Sequence, residues 1–355
     1  GGGSGGDGGG GGGGVIAATG SVASTGGGGA AAAAARAGRV GMRASTGAAG
    51  LRVRGGGAEM LEGSAGVEAP LEEVYAAIAE AQPEQQAAYS IWIGGVDTEA
   101  EAAAAAAAGC ILDVGSGTLT YAADFAPPEL CFDLLYCRHG KTTGNTEPRV
   151  YQGFVDEPEN ALNEVGLAQA EEAAERLEAL GVAPDLVVLS PLSRASETGM
   201  AWVRRHPEAA GLVETWDETA EMRFGAWDNV KVKDLPADSI CHLFYLAQNA
   251  LVRSAAPYTR PADGAAFESE SFVQLLTRMG AVLDKLEARM APLAAERAAA
   301  GKPPPLVLMY GHSMAGAALG VLTGNGKRVD GEGYLGFDGK YILPNATPVY
   351  LHRCR

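Results

Sequence analysis

The chain has 355 residues, enough for about two domains, but 51 of them are glycine and many crowd before Gly57, so the part able to fold is shorter than the chain. A formal net charge of −16 argues against a general nucleic-acid binder, which needs a basic footprint. A local anion pocket built from a few arginines is still compatible with that charge. The five cysteines (Cys110, Cys131, Cys137, Cys241, Cys354) are scattered, odd in number and without a C-x-x-C pair. The histidines do not join them at zinc spacing, so neither a disulfide framework nor a metal site is expected, and a reducing compartment is the simpler reading. No stretch reaches the roughly 18 apolar residues of a membrane-spanning helix, so no membrane partner is expected.

Residues 1–58 form a Gly/Ala tract that cannot bury enough apolar surface to offset the entropy of ordering, and a disordered leader is expected there. It carries Arg36, Arg39, Arg43, Arg52 and Arg54 against one acid, Asp7. Such an Arg-bearing, acid-poor leader resembles an organellar transit peptide, implying plastid or mitochondrion; a low-complexity extension of a cytoplasmic protein is the other reading.

Residues 59–130 read as a small N-terminal extension. Leu71, Val74, Tyr75 and Ile78 share one helical face after Pro70, and a second helix is signalled by Thr98 and Glu101 as a capping box, ending at Gly109. The run Ile111-Leu112-Asp113-Val114-Gly115-Ser116-Gly117-Thr118 looks like the glycine-rich motif of a methyltransferase. It lacks the third glycine, at Leu119, and the strand-helix-strand context, so a hairpin of strands 111–114 and 118–121 explains it better.

From residue 131 to 355 strands (132–137, 186–190, 306–310, 349–352) alternate with helices (164–180, 193–205, 267–290, 313–323). Alternation of this kind predicts an α/β three-layer sandwich, a mostly parallel central sheet with helices on both faces. Ligands of such sheets collect at the carboxyl ends of the strands. Three polar clusters fall there: Arg138-His139-Gly140, Ser190 to Ala195 with Arg194, and Gly311-His312-Ser313. Two arginines and two histidines at one sheet edge suit phosphoryl transfer, which needs a nucleophile, fixed cations around the phosphate oxygens and a proton donor for the leaving oxygen.

Over residues 131–352 the sequence resembles the histidine phosphatase superfamily, which includes the cofactor-dependent phosphoglycerate mutases. The resemblance rests on ordered motifs: Arg138 to Asn145, Gln152 to Pro158, Leu162 to Ala170, Ser190 to Thr198, Glu221 to Trp227, a Glu-Ser pair (Glu268-Ser269 or Glu270-Ser271) followed by Arg278, and Tyr310 to Ser313. It implies a phosphoglycerate mutase-like fold. His139 becomes the phosphorylated nucleophile, and Arg138, Arg194 and His312 bind the transferring group with help from Asn145, Thr142, Gly140 and the Ser313 backbone N–H. Glu221, three residues before Phe224-Gly225, becomes the proton donor, in preference to Glu214, Asp217 and Glu218. A carboxyl in that role works best with its pKa raised by partial burial.

The resemblance implies no metal and no cofactor, and a small phosphorylated substrate as partner. Lys141 and Asp228-Asn229 depart from the family pattern where distal parts of a substrate bind. Ala226-Trp227-Asp228-Asn229-Val230-Lys231 and Gly311-His312-Ser313-Met314 lack the glycolytic mutase features, so hydrolysis through phosphohistidine is expected ahead of mutase-type transfer, and a non-catalytic scaffold comes last. Lys231, Lys233, Arg253 and Arg260 are candidates for distal contacts. His206, His242 and His352 have no motif support.

Overall fold

In the computed structural model the described residues are 95–234, 244, 245 and 247–354, without the Lys233 side chain. The leader, the helix expected from Leu71, His242 and Lys233's side chain lie outside them.

The central sheet has five strands in the order β11-β3-β8-β4-β5, built from β3 (Asp133–Arg138), β4 (Leu186–Leu189), β5 (Val213–Thr215), β8 (Leu306–Gly311) and β11 (Val349–His352). β3, β8, β4 and β5 run parallel, and β11 pairs antiparallel with β3 at the edge. The middle strands are continuous apolar runs because both faces of the sheet are covered. Their side chains alternate accordingly. Leu134, Tyr136, Val188, Val307 and Met309 join one core with residues of the long helix described below, whereas Leu135, Cys137, Val187, Leu189, Leu308 and Tyr310 join a second.

On the second face pack α2 (Glu164–Ala179) and α3 (Ser193–Arg205); on the first pack α4 (Phe272–Ala299) and α5 (Ser313–Leu322). This is the expected three-layer α/β arrangement. α2 starts at Asn163, whose side chain accepts from Gly166 N–H, and it comes so close to the loop after β3 that a Cβ on Gly166 would lie 1.9 Å from the Lys141 carbonyl oxygen. Only glycine fits there.

Both ends of α4 and one strand differ from the sequence reading. α4 begins five residues later than expected, because 266–267 form strand β7 against β6 (Tyr258–Thr259) and Ser271 with Gln274 makes the real capping box. It also continues through Pro292 to Ala299; the carbonyl left without a helical donor belongs to Ala288 on the exposed face, open to solvent. β5 escaped notice because it is three residues long and half polar at a sheet edge.

The segment 95–130 packs into the first core. Its helix α1 (Thr98–Ala107) is capped by Asp97, which accepts from Ala100 N–H, so the cap lies one residue before the expected Thr98. Glu101, expected to close that box, instead accepts a hydrogen bond from the Ser271 hydroxyl at the head of α4. The hairpin β1 (Cys110–Leu112) and β2 (Leu119–Tyr121) follows in antiparallel register, in place of a nucleotide-binding turn. Tyr121 donates to the Val321 carbonyl at the end of α5, and Asn249 and Ala250 donate to the Ser116 and Gly117 carbonyls of the turn. A small hairpin, β9 (Lys327–Arg328) with β10 (Leu335–Gly336), completes the elements.

Candidate active site

Because β3, β4 and β8 are parallel, their carboxyl ends open on the same edge. A cavity of about 60 Å³ there is lined by Arg138, His139, Asn145, Arg194, Glu221 and Ser313, together with Arg149, Tyr151, Gln152 and Asp338. By that measure of space it admits several waters, enough to seat a phosphoryl group.

His139 follows β3 and is 2% exposed. Its Nδ1 lies 2.7 Å from the Gly140 carbonyl oxygen. A carbonyl only accepts, so Nδ1 carries the proton and Nε2 keeps its lone pair. Burial first, then the Arg138 and Arg194 guanidinium groups, hold the His139 pKa well below its usual value, which keeps the ring neutral. The backbone is pinned as well: His139 N–H donates to Gly311, and its carbonyl accepts from Asn345 Nδ2 at 2.7 Å.

Arg194, fully buried in the first turn of α3, is locked by the loop ahead of α2. Its Nη1 and Nη2 donate to the Val155 and Gly153 carbonyls at 2.8 and 2.6 Å, and Asp156 accepts from Ser193 N–H and hydroxyl at the same helix start. Gly153 sits at φ 45°, and a Cβ there would lie 1.7 Å from Asp228 Oδ1. Burial pushes the Arg194 pKa down to about 10 against the opposing pull of Glu221, Asp156 and Asp228, which still leaves a full charge at neutral pH. Arg138 donates from Nη1 to the Leu343 carbonyl at 2.9 Å. The Nε atoms of both arginines are buried and without a partner.

Glu221 is 4% exposed and sits at the N-terminus of α5. Oε2 accepts from the Ser313 hydroxyl and Met314 N–H, and Oε1 from Ala315 N–H and Met222 N–H, at 2.9 to 3.1 Å. Helix N–H groups and an anionic carboxylate suit each other. The turn leading to Glu221 is held by Arg278 of α4, which donates to the carbonyls of Glu218, Ala220 and Glu221 and pairs with buried Glu270. Glu270-Ser271 is therefore the Glu-Ser pair that engages Arg278; Ser269 bonds elsewhere, to the Ser254 carbonyl.

Other expected residues stand one step back. His312, wholly buried, does not line the cavity; its ring centroid lies 5.4 Å from that of His139, and its Nε2 meets the Ser190 hydroxyl at 2.6 Å. Burial, then Arg194, His139 and Arg138, hold its pKa well below the usual value. Thr142 also stands outside the lining: its hydroxyl donates to Gln152 Oε1 and accepts from Asn145 N–H, while its own N–H binds Asn145 Oδ1. Thr142 thus orients Asn145 and leaves the Asn145 amide Nδ2 for a ligand. Gly140 allows close packing, since a Cβ would meet the Gly166 carbonyl oxygen at 2.5 Å.

Among the described side chains, none of the cations considered for distal contacts lines the cavity: Lys231 is exposed, Arg253 donates to the Gly95 carbonyl and Arg260 pairs with Asp263. Arg149 takes that place. Ser190, Arg149 and Asp338 were missed because each needs the fold to bring it near the others; only Ser190 stood inside a recognised motif.

Residues 134–294 match the family described as the histidine phosphatase superfamily, branch 1. A mannitol-1-phosphatase of Eimeria tenella is 43% identical over 254 residues, covering 68% of this chain and 81% of that protein. Among solved structures, a mycobacterial glucosyl-3-phosphoglycerate phosphatase is 25% identical over 53% of this chain and 79% of its own, with a TM-score of 0.38. A phosphoglycerate mutase of Thermus thermophilus is 19% identical over 62% of this chain and 92% of its own, also with a TM-score of 0.38. The family match and the extent of the Eimeria likeness make this chain a phosphatase of small phosphorylated metabolites, and it belongs to the histidine phosphatase superfamily.

Proposed function

We propose that the chain hydrolyses the phosphomonoester of a polyol, mannitol 1-phosphate or a close hexitol phosphate, with His139 as the nucleophile. The observation that carries this reading is the neutral, Nδ1-protonated His139 lining a cavity with two fixed arginines. In this reading Nε2 attacks phosphorus in line with the ester oxygen, and the P–O bond to the polyol breaks as the N–P bond forms. Arg138 and Arg194 balance the charge spread over the remaining phosphate oxygens, with Asn145 Nδ2 as a further donor.

Glu221 gives a proton to the departing alkoxide and later takes one from the water that cleaves phosphohistidine. Its oxygens already accept four hydrogen bonds, so carrying that proton displaces one donor. The Ser313 hydroxyl is the one able to turn and accept instead. Ser190 orients His312, whose ring supports His139 from behind. The polyol identity comes from the likeness to the Eimeria enzyme.

The test is phosphate release from mannitol 1-phosphate by the full chain, with a rapid quench for acid-labile phosphate on His139. Turnover with label on His139, absent in His139→Ala, is expected. Release of phosphate with no label on His139 would refute the nucleophile assignment, and failure on a phosphomonoester panel would refute hydrolysis.

A further inference from the structure

Four polar side chains that line the cavity take no part in the transfer: Arg149, Tyr151, Gln152 and Asp338. Gln152 is committed to Thr142. Arg149 and Asp338 are different. The Arg149 guanidinium lies 4.8 Å above the Tyr245 ring, and no described residue accepts a hydrogen bond from it. A flat cation stacked in this way is held in place while its N–H edges stay unspent.

Asp338 is 4% exposed, and each of its oxygens has one donor: Gly339 N–H at 2.7 Å on Oδ1 and the Tyr151 hydroxyl at 3.0 Å on Oδ2. Each carboxylate oxygen takes about two hydrogen bonds, so each keeps a free lone pair. The position is rigid, because Phe337 N–H and Asp338 N–H both donate to Gln248 Oε1, at 2.7 and 2.9 Å. Arg149 and Asp338 form no ion pair within 4.0 Å, so neither consumes the other's hydrogen-bonding capacity.

A hydroxyl can donate to a carboxylate and accept from a guanidinium at once. A carboxylate or second phosphate on the substrate can only accept, and it meets the Asp338 charge as a repulsion in a desolvated setting. We propose that Arg149 and Asp338 form a specificity wall that reads the hydroxyls of an uncharged polyol tail and rejects substrates carrying a second anion. This rests on the phosphatase reading above and adds the reason for choosing among its substrates.

The experiment compares kcat/KM of the full chain for mannitol 1-phosphate, 3-phosphoglycerate and p-nitrophenyl phosphate in wild type, Asp338→Asn and Arg149→Met. Wild type is expected to prefer mannitol 1-phosphate over 3-phosphoglycerate. Asp338→Asn keeps the shape, removes the charge and shrinks that preference by about tenfold or more. Arg149→Met lowers the ratio of mannitol 1-phosphate to p-nitrophenyl phosphate, which has no hydroxyl tail, by about tenfold.

Equal scaling of all three substrates in both variants would make the pair structural and overturn the proposal while leaving hydrolysis intact. A wild-type preference for 3-phosphoglycerate would overturn it too. Loss of all three activities in wild type is the distinct failure of the phosphatase reading itself. Should Asp338→Asn fail to fold, Arg149→Met, on a partly exposed side chain, decides the matter alone.

Discussion

His139 and His312 are both buried, both neutral and both surrounded by arginine charge, and this has consequences for pH. The unfolded chain protonates these rings near the ordinary value of 6.5, the folded chain only at lower pH. The stability they contribute is therefore complete above about pH 6.5 and is lost as pH falls from there towards the folded values, at up to about 1.4 kcal/mol per pH unit for each ring. Denaturant unfolding of the ligand-free protein at pH 7.5 and 5.5 should show the loss, and His312→Gln should flatten it. For the same reason the acid limb of kcat/KM is expected below pH 6.5, because the nucleophile stays unprotonated there; a limb at or above 6.5 would contradict it. Ser313→Ala, which removes the hydroxyl able to reverse towards Glu221, is expected to lower kcat by about tenfold, with Ser313→Thr restoring most of it. At this scale the local motifs named His139, Arg138, Arg194 and Glu221, and the structure brings all four to one cavity. Thr142, Gly140 and His312 stand behind the cavity lining, which the motifs could not tell, because nothing in a motif says whether a side chain faces the cavity or the residue that does.

At the level of elements, each site residue is held by a neighbouring segment. The loop ahead of α2 supplies the carbonyls that fix Arg194, and α4 supplies Arg278, which binds three backbone carbonyls leading up to and including that of Glu221. Replacing Arg278 with Lys leaves a charge beside Glu270 but loses the fork that reaches those carbonyls. The expected result is a fall in kcat of roughly tenfold to a hundredfold with KM little changed, since Glu221 would be misplaced rather than the phosphate pocket. A proportional rise in KM alone would argue against this positioning role. Helix and strand cores were readable from periodicity, but α4's start was not: Ala266 and Phe267 belong to a hairpin whose partner strand, Tyr258–Thr259, is too short to signal itself.

At the level of the molecule, the segment 95–130 shares the main hydrophobic core. Ala105, Cys110, Leu112 and Leu119 are buried in it, and Phe132 lies in the same cluster. Each fully buried large apolar side chain contributes about 1.5 to 3 kcal/mol, against a typical total stability of about 5 to 15 kcal/mol. A chain beginning at residue 131 is therefore expected to melt at least 10 °C lower, or not to fold, in a thermal circular-dichroism scan against the full chain. The sequence by itself determined the α/β class, the order of the polar clusters at the strand ends and the four residues that meet in the cavity, because periodicity and short motifs are local and need no knowledge of neighbours. Only the tertiary structure decided that β5 closes the sheet, that Ser190 backs His312, that Arg278 clamps the turn before Glu221 and that Arg149 and Asp338 share the cavity wall. Those pairings join residues as much as 189 positions apart, and burial and hydrogen-bond complementarity across such distances exist only once the chain has folded.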